Sequence, residues 1–246
     1  MKKIYLQMII IMFKEGDKVR VYIDIGHGGK DPGAVSGNFV EHQINKVTGN
    51  ALAEKLIQYG FEVLIEQGNL ELTTSARLAN SFGADLLLSC HYNAGGGKRG
   101  EVIYGWKNGS LELANVVADG LRNIQSEVRV YKSKANSTNT AEYFGVLRAA
   151  NMPCVIIEPA FIDNITDQQL IDTIDKQKYI GYCIADAIAK KYGGVQQVEP
   201  WKQQIMDKAV KYGLITPNTH NANDMASKWF MLAVIMNLLE KYILKK

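Results

Sequence analysis

The chain of 246 residues is 47% hydrophobic and 22% charged, an ordinary globular balance that builds a core without disulfide staples. Its formal net charge of +3 lacks the dense basic stripe of a nucleic-acid binder. That charge is carried by residues 199–246, where seven lysines face four acids, so the remainder sums to zero. The cysteines Cys90, Cys154 and Cys183 are odd in number and read as buried thiols of a protein made in a reducing compartment.

At the start, Met1-Lys2-Lys3 and the apolar run Ile4 to Phe13 imitate a signal peptide. Lys14-Glu15-Gly16-Asp17-Lys18 follows without a small-x-small cleavage site, and the run is too short to span a bilayer. Residues 1–18 are therefore read as an N-terminal extension, with Met12 as an alternative start. The expectation is a protein made in the cytoplasm, with no stable membrane anchor.

Val19 to Ile25 reads as a buried strand, and Pro32-Gly33 and Ser36-Gly37-Asn38 as a loop. From Glu41 a helical pattern carries Ile44, Val47, Leu52, Leu56 and Ile57 and stops at Gly60. Phe61 to Ile65 is a second strand, and Thr73 or Thr74 caps a helix bearing Ala76, Leu78, Ala79 and Phe82. Ala84 to His91 is a third strand, Val102 to Trp106 an edge strand, and Leu111 to Leu121 a helix. Lys132 to Thr140 has loop composition. Phe144 to Leu147 and Cys154 to Ile157 read as short strands, and Asp167 to Tyr192 as one long helix.

Residues 19–192 thus predict an α/β domain, a twisted, mostly parallel sheet flanked by helices on both faces. Residues 193–200 have linker composition. Residues 201–246 hold two helical patterns, Trp201 to Tyr212 and Asp224 to Ile243, forming a small C-terminal helical appendage. The second pattern is apolar around much of its circumference and needs a cover.

His27, His91 and Glu158 each follow or end a predicted strand, where ligands of such sheets collect, and Glu41 opens a helix. Two imidazoles and a carboxylate can hold zinc with a coordination position left open, and a spare carboxylate can move protons. The pattern points to hydrolysis. Taken singly, a histidine among glycines is more often a turn residue, and a glutamate at a helix start is usually only an N-terminal charge. Glu158 is harder to dismiss, because a carboxylate ending an apolar strand is costly to desolvate. Asn93 and Arg148 are candidate substrate contacts, with packing an equal reading for each. Cys90 adjoins His91, but neighbouring strand side chains point to opposite faces, which disfavours a thiol nucleophile. His42 and His220 are read as solvated and receive no role.

The run Asp24-Ile25-Gly26-His27-Gly28-Gly29-Lys30-Asp31-Pro32-Gly33-Ala34 resembles the first metal motif of the zinc-dependent N-acetylmuramoyl-L-alanine amidases of the amidase 3 class. The likeness continues through Glu41, Arg77-Leu78-Ala79-Asn80, Ala84-Asp85-Leu86, Ser89-Cys90-His91-Tyr92-Asn93-Ala94 and Val146-Leu147-Arg148. It ends with Met152-Pro153 and Ile157-Glu158-Pro159-Ala160-Phe161-Ile162-Asp163-Asn164. This resemblance implies one Zn2+ ion held by His27, Glu41 and His91, with Glu158 as the catalytic carboxylate. It implies a substrate, peptidoglycan, cut between N-acetylmuramic acid and L-alanine, in the manner of a phage endolysin or a bacterial autolysin acting after release from the cytoplasm. Departures are Ile25 where the class usually has proline, the absence of its Thr-Arg near Ile65-Glu66, and Pro159-Ala160 after the glutamate; none removes a ligand or the acid. The rival readings are a zinc peptidase acting on the stem peptide and a non-catalytic wall-binding module. For residues 201–246 the basic charge and apolar helix suggest attachment to anionic wall polymers or homo-oligomerisation.

Overall fold

A computed structural model describes residues 18–68 and 73–194, together with Gln204, Asp207, Lys208 and Lys211. The described residues fall in two compact units divided after Gln196. The extension before Lys18, the linker beyond Gly194 and, apart from those four positions, the two C-terminal helical patterns lie outside the described residues.

Strands β1 (Arg20–Ile25), β4 (Glu62–Glu66), β5 (Leu86–Cys90), β6 (Gly100–Tyr104), β7 (Val128–Lys132) and β8 (Cys154–Glu158) form one sheet in the order β4-β1-β5-β8-β6-β7. The first four in that order are mutually parallel; β6 runs antiparallel to β8, and β7 parallel to β6. A small hairpin, β2 (Val35–Ser36) and β3 (Phe39–Val40), precedes helix α1 (Glu41–Gln58). Helices α1, α3 (Ser110–Leu121) and α6 (Ile174–Tyr192) cover Val21, Ile23, Ile25, Leu86, Leu88, Val155 and Ile157. On the opposite face Tyr22, Leu87, Ile103, Cys154 and Ile156 pack with residues of α2 (Thr74–Phe82) and α4 (Gly145–Ala149). Side chains alternate across a strand, so Val21 and Ile23 serve one layer and Tyr22 the other. With both faces covered, the central strands read as unbroken apolar runs. The fold is the α/β class expected, and no helix among the described residues is long and apolar enough to cross a membrane.

Several local expectations change. Phe144 to Leu147 is not a strand: Gly145–Ala149 is helix α4, with Val146 and Leu147 buried against the sheet. An apolar run this short carries no period that separates the two conformations. The strand expected at Val102 to Trp106 ends at Tyr104 and lies inside the sheet, while the edge is β7, whose half-exposed Val-Arg-Val-Tyr-Lys lacks the signature of a buried strand. The long helix from Asp167 is broken. Asn164 caps a short helix α5 (Ile165–Gln168), and α6 restarts at Ile174, with the Thr173 hydroxyl accepting from the Lys176 amide at 3.3 Å. Thr73 does precede α2, but its hydroxyl accepts from the Arg77 guanidinium at 2.6 Å instead of capping the backbone.

Helices α1 and α6 approach closely at Gly181, where a Cβ would lie 2.4 Å from the Thr48 carbonyl oxygen and 2.7 Å from the Leu52 nitrogen. Backbone cannot yield as a side-chain tip can, so Gly181→Val must push the helices apart. We expect a loss of about 1–3 kcal/mol in unfolding free energy, seen in urea titration as a lower midpoint at unchanged slope.

Candidate metal centre

Strands β1, β5 and β8 end at one edge of the sheet, and the ladder continues just beyond them. The Gly26 amide donates to the Cys90 carbonyl at 2.9 Å and the His91 amide to the Ile157 carbonyl at 2.9 Å. This sets His27 and His91 side by side above the strand ends, with ring centroids 5.0 Å apart. His27 occupies the left-handed region at φ 64°, a costly conformation for a residue with a Cβ and one that concentrates at functional sites. The loop is fixed from below: the Gly26 carbonyl accepts from Asn45 Nδ2 at 3.0 Å and from His42 Nδ1 at 3.2 Å. His42, read as solvated, instead braces the strand end that carries His27.

Glu41 begins α1 directly after the hairpin and is only 4% exposed. Its Oε2 accepts from the Ala34 amide at 2.9 Å, and its Oε1 from the Tyr92 amide at 3.2 Å. His27 Nε2 and His91 Nδ1 both reach that same Oε1, at 3.1 and 3.0 Å. The ligand atoms of the three residues lie within 4.8 Å of one another. Two glycines make the convergence possible. A Cβ on Gly26 would fall 2.2 Å from His91 Cε1, and one on Gly33, at φ 69°, 2.6 Å from Glu41 Oε2.

The electrostatics fit a cation. Burial opposes ionisation of Glu41, but the bonds from His27 and His91 outweigh it and hold the carboxyl well below its usual range. The bond to Glu41 raises His27 to about 9 against the opposing effect of burial, with Asp31 adding to the rise. A carboxylate facing two ring nitrogens therefore draws positive charge into the cluster, and imidazole nitrogen with carboxylate oxygen is a donor set that suits zinc. Asp31 Oδ2 lies 2.8 Å from His27 Nδ1. Accepting a hydrogen bond from the N–H of that nitrogen leaves the Nε2 lone pair for the centre, the usual task of a carboxylate behind a metal-ligating histidine. The sequence alone assigns Asp31 no role; its position four residues after His27 is the available signal.

Glu158 ends β8 at the same edge. Burial chiefly raises its carboxyl to about 7; Glu101 and Glu41 add to the rise, while His91 and a hydrogen bond from Asn93 oppose it. Glu101 stands directly across from Glu158 in the antiparallel β6–β8 pair. Its Oε2 accepts from Asn93 Nδ2 at 2.9 Å and from the Tyr131 hydroxyl at 2.7 Å, and its Oε1 from Arg99 Nε at 2.5 Å. Asn93 is thus brought to the site, bonded to both carboxylates. Arg148 makes no contact with the cluster: its guanidinium donates to the Glu142 carbonyl at 2.6 Å and the Tyr143 carbonyl at 3.3 Å. Sequence reasoning missed Glu101, Arg99 and Tyr131; the acid opening the apolar run Glu101-Val102-Ile103 was the one hint. The Cys90 thiol is buried toward Gly49 of α1 and pushed up to about 12, mainly by burial, which removes it as a nucleophile.

A family model described as N-acetylmuramoyl-L-alanine amidase matches residues 21–190. The N-acetylmuramoyl-L-alanine amidase CwlM of Bacillus licheniformis is 33% identical over 158 residues, covering 61% of this chain and 60% of that protein. An endolysin of Bacillus phage SPP1 is 31% identical over 160 residues, covering 61% of this chain and 58% of that one. Among solved structures, an N-acetylmuramoyl-L-alanine amidase from Clostridium difficile 630 aligns with a TM-score of 0.63 at 29% identity, over 72% of this chain and 97% of that one. The match spans about three-fifths of the length of these curated relatives.

If Asp31 sets the His27 tautomer, Asp31→Ala should weaken metal affinity by about 10–100-fold, measured by chelator competition, with an unchanged circular dichroism spectrum. The wild-type affinity should depend on pH. Below about 9 the metal-free His27 is protonated, and an ion must displace that proton. Apparent affinity should therefore fall by about tenfold for each pH unit below that value, and a flat profile would exclude His27 as a ligand.

Proposed function

The chain belongs to the N-acetylmuramoyl-L-alanine amidase family, and from that premise we propose that it hydrolyses the amide bond between the lactyl group of N-acetylmuramic acid and L-alanine in peptidoglycan. The observation that carries this reading is the joining of two features at one sheet edge: the His27–Glu41–His91 cluster, and a separate, partly buried Glu158. We assign the cluster one zinc ion, which when bound supplies a Lewis acid for the amide carbonyl and acidifies water to a pKa of about 7.

The chain's own residues then divide the proton work. Burial chiefly raises the carboxyl of Glu158 in the metal-free site to about 7, so this side chain holds a proton more readily than an exposed glutamate. As a carboxylate it accepts a proton from the attacking water; as an acid it returns that proton to the departing alanine nitrogen, which is a poor leaving group without it. Asn93, donating toward Glu158 and held by Glu101, fixes the carboxyl in place. The acyl product gains a free lactyl carboxylate, and the peptide product gains a free α-amino group. Arg148 we keep only as a distant substrate contact, since its bonds to the Glu142 and Tyr143 carbonyls give it a bracing task.

For the whole chain we propose residues 19–192 as the catalytic domain, acting on the bacterial wall after release from the cytoplasm. Residues 201–246 serve as a helical module for wall attachment or self-association. The support for the module is its sequence: a local charge of +3 and an apolar helical pattern from Asp224 to Ile243.

Digestion of purified wall should release new N-terminal alanine; new D-amino-acid carboxyl termini in its place would instead identify a peptidase. Glu158→Gln should slow release by about 10²–10⁴-fold while zinc content stays at the wild-type level. For the tail, residues 1–194 alone should lose wall retention in sedimentation assays or show a lower assembly mass than the full chain. No change in either property removes both roles given to the module.

A further inference from the structure

Tyr131 lies on the edge strand β7, in register with Ile103 of β6. Its hydroxyl nevertheless donates to Glu101, two residues nearer the start of β6. The ring therefore leans along the sheet toward the edge where Glu158 ends β8. Directly opposed residues of an antiparallel pair present their side chains on the same face, so Glu101, Glu158 and the Tyr131 ring share one face of the sheet.

Glu101 is 5% exposed, whereas Tyr131 remains 40% exposed. The buried carboxylate is already saturated by the chain, with Arg99 on Oε1 and both Asn93 and Tyr131 on Oε2. It has no need of a ligand's donor. Its effect on Tyr131 is to immobilise the ring before anything binds, so that little rotamer freedom is lost on contact. An exposed aromatic residue alone would mean little. This one is pinned to the carboxylate that faces Glu158, and two-fifths of it stays exposed beside that strand end.

We infer that Tyr131 is a sugar-stacking residue, holding a pyranose ring of the substrate's glycan strand against its exposed face next to Glu158. A pyranose has an apolar face of C–H groups and a rim of hydroxyls. Stacking buries the first against the aromatic ring and leaves the second in water, which matches a ring that is apolar in body and polar at its tip. The occupant is the glycan strand because, on the amidase reading on which this inference rests, the sugar bearing the scissile amide must lie beside Glu158. Strands β6 and β7 follow β8 in the sheet on that side.

The test uses the full chain carrying Glu158→Gln, titrated by calorimetry with peptide-free glycan strands and, separately, with the free stem peptide. Adding Tyr131→Ala should weaken glycan binding by about three- to tenfold, whereas Tyr131→Phe, which keeps the ring but loses the bond that immobilises it, should lose less, about two- to threefold. Stem-peptide binding should not change. The inference is overturned if the Glu158→Gln chain does not bind glycan strands, or if Tyr131→Ala binds them as tightly as its parent. Equal losses in the Phe and Ala variants, or a matching loss for the stem peptide, would assign Tyr131 to scaffolding and overturn it as well. Failure of the amidase reading shows elsewhere, as wild-type digestion that releases no N-terminal alanine.

Discussion

The site depends on one buried carboxylate. Glu41 is removed from water at the start of α1, and burying a carboxylate costs several kcal/mol unless its oxygens are satisfied. Here two backbone amides and two imidazole nitrogens meet that demand. Each partner imposes a constraint in turn. The Ala34 amide requires the hairpin to close onto the helix start, the Tyr92 amide requires β5 to end where it does, and the imidazoles require bare glycines at positions 26 and 33. The left-handed His27 and the Gly28–Asp31 bridge are the local backbone price of bringing Nε2 to Oε1 while Nδ1 faces Asp31.

Strand direction explains the rest of the constellation. Parallel strands bring only their C-terminal ends to the ligand edge, which supplies His27, His91 and Glu158. Because β6 runs the other way, its first residues arrive at that same edge, and Glu101 comes to stand opposite Glu158. A fully parallel sheet could not place a strand's opening residues there. Beyond β6 lies β7, the outer strand on that side, and its Tyr131 reaches back to Glu101 of β6.

The sequence made legible what is periodic or locally bounded. Unbroken apolar runs gave β1, β5 and β8, and the amphipathic pattern from Glu41 gave α1, so the four residues at their ends could be named. The sequence did not reveal contacts made across the sheet. Nothing near Glu101 in the chain signals that it will face Glu158, since the pairing depends on the direction of β6, and β7 is too polar to announce itself as a strand. The misread segment at Phe144 and the unbroken helix from Asp167 fail for a related reason. A single turn of helix, or a break capped by Thr173, is decided by packing and one hydrogen bond rather than by composition.

Glu41 and Glu158 are the same residue type a short distance apart in the fold, and their surroundings drive them in opposite directions. Glu41 meets donors on both oxygens and stays ionised; Glu158 is lifted to about 7, chiefly by burial and then by two nearby carboxylates. Separated titration of paired carboxyls is what distinguishes a ligand from a proton carrier. The division does not come from the glutamates themselves. It comes from where the hydrogen-bond donors are: backbone amides and imidazoles crowd Glu41, while the donors near Glu158 are largely claimed by Glu101. Arg99 and Tyr131 bind that neighbour and Asn93 serves both carboxyls, leaving Glu158 with fewer donors than Glu41 to hold its negative charge, and so free to take up and give back a proton.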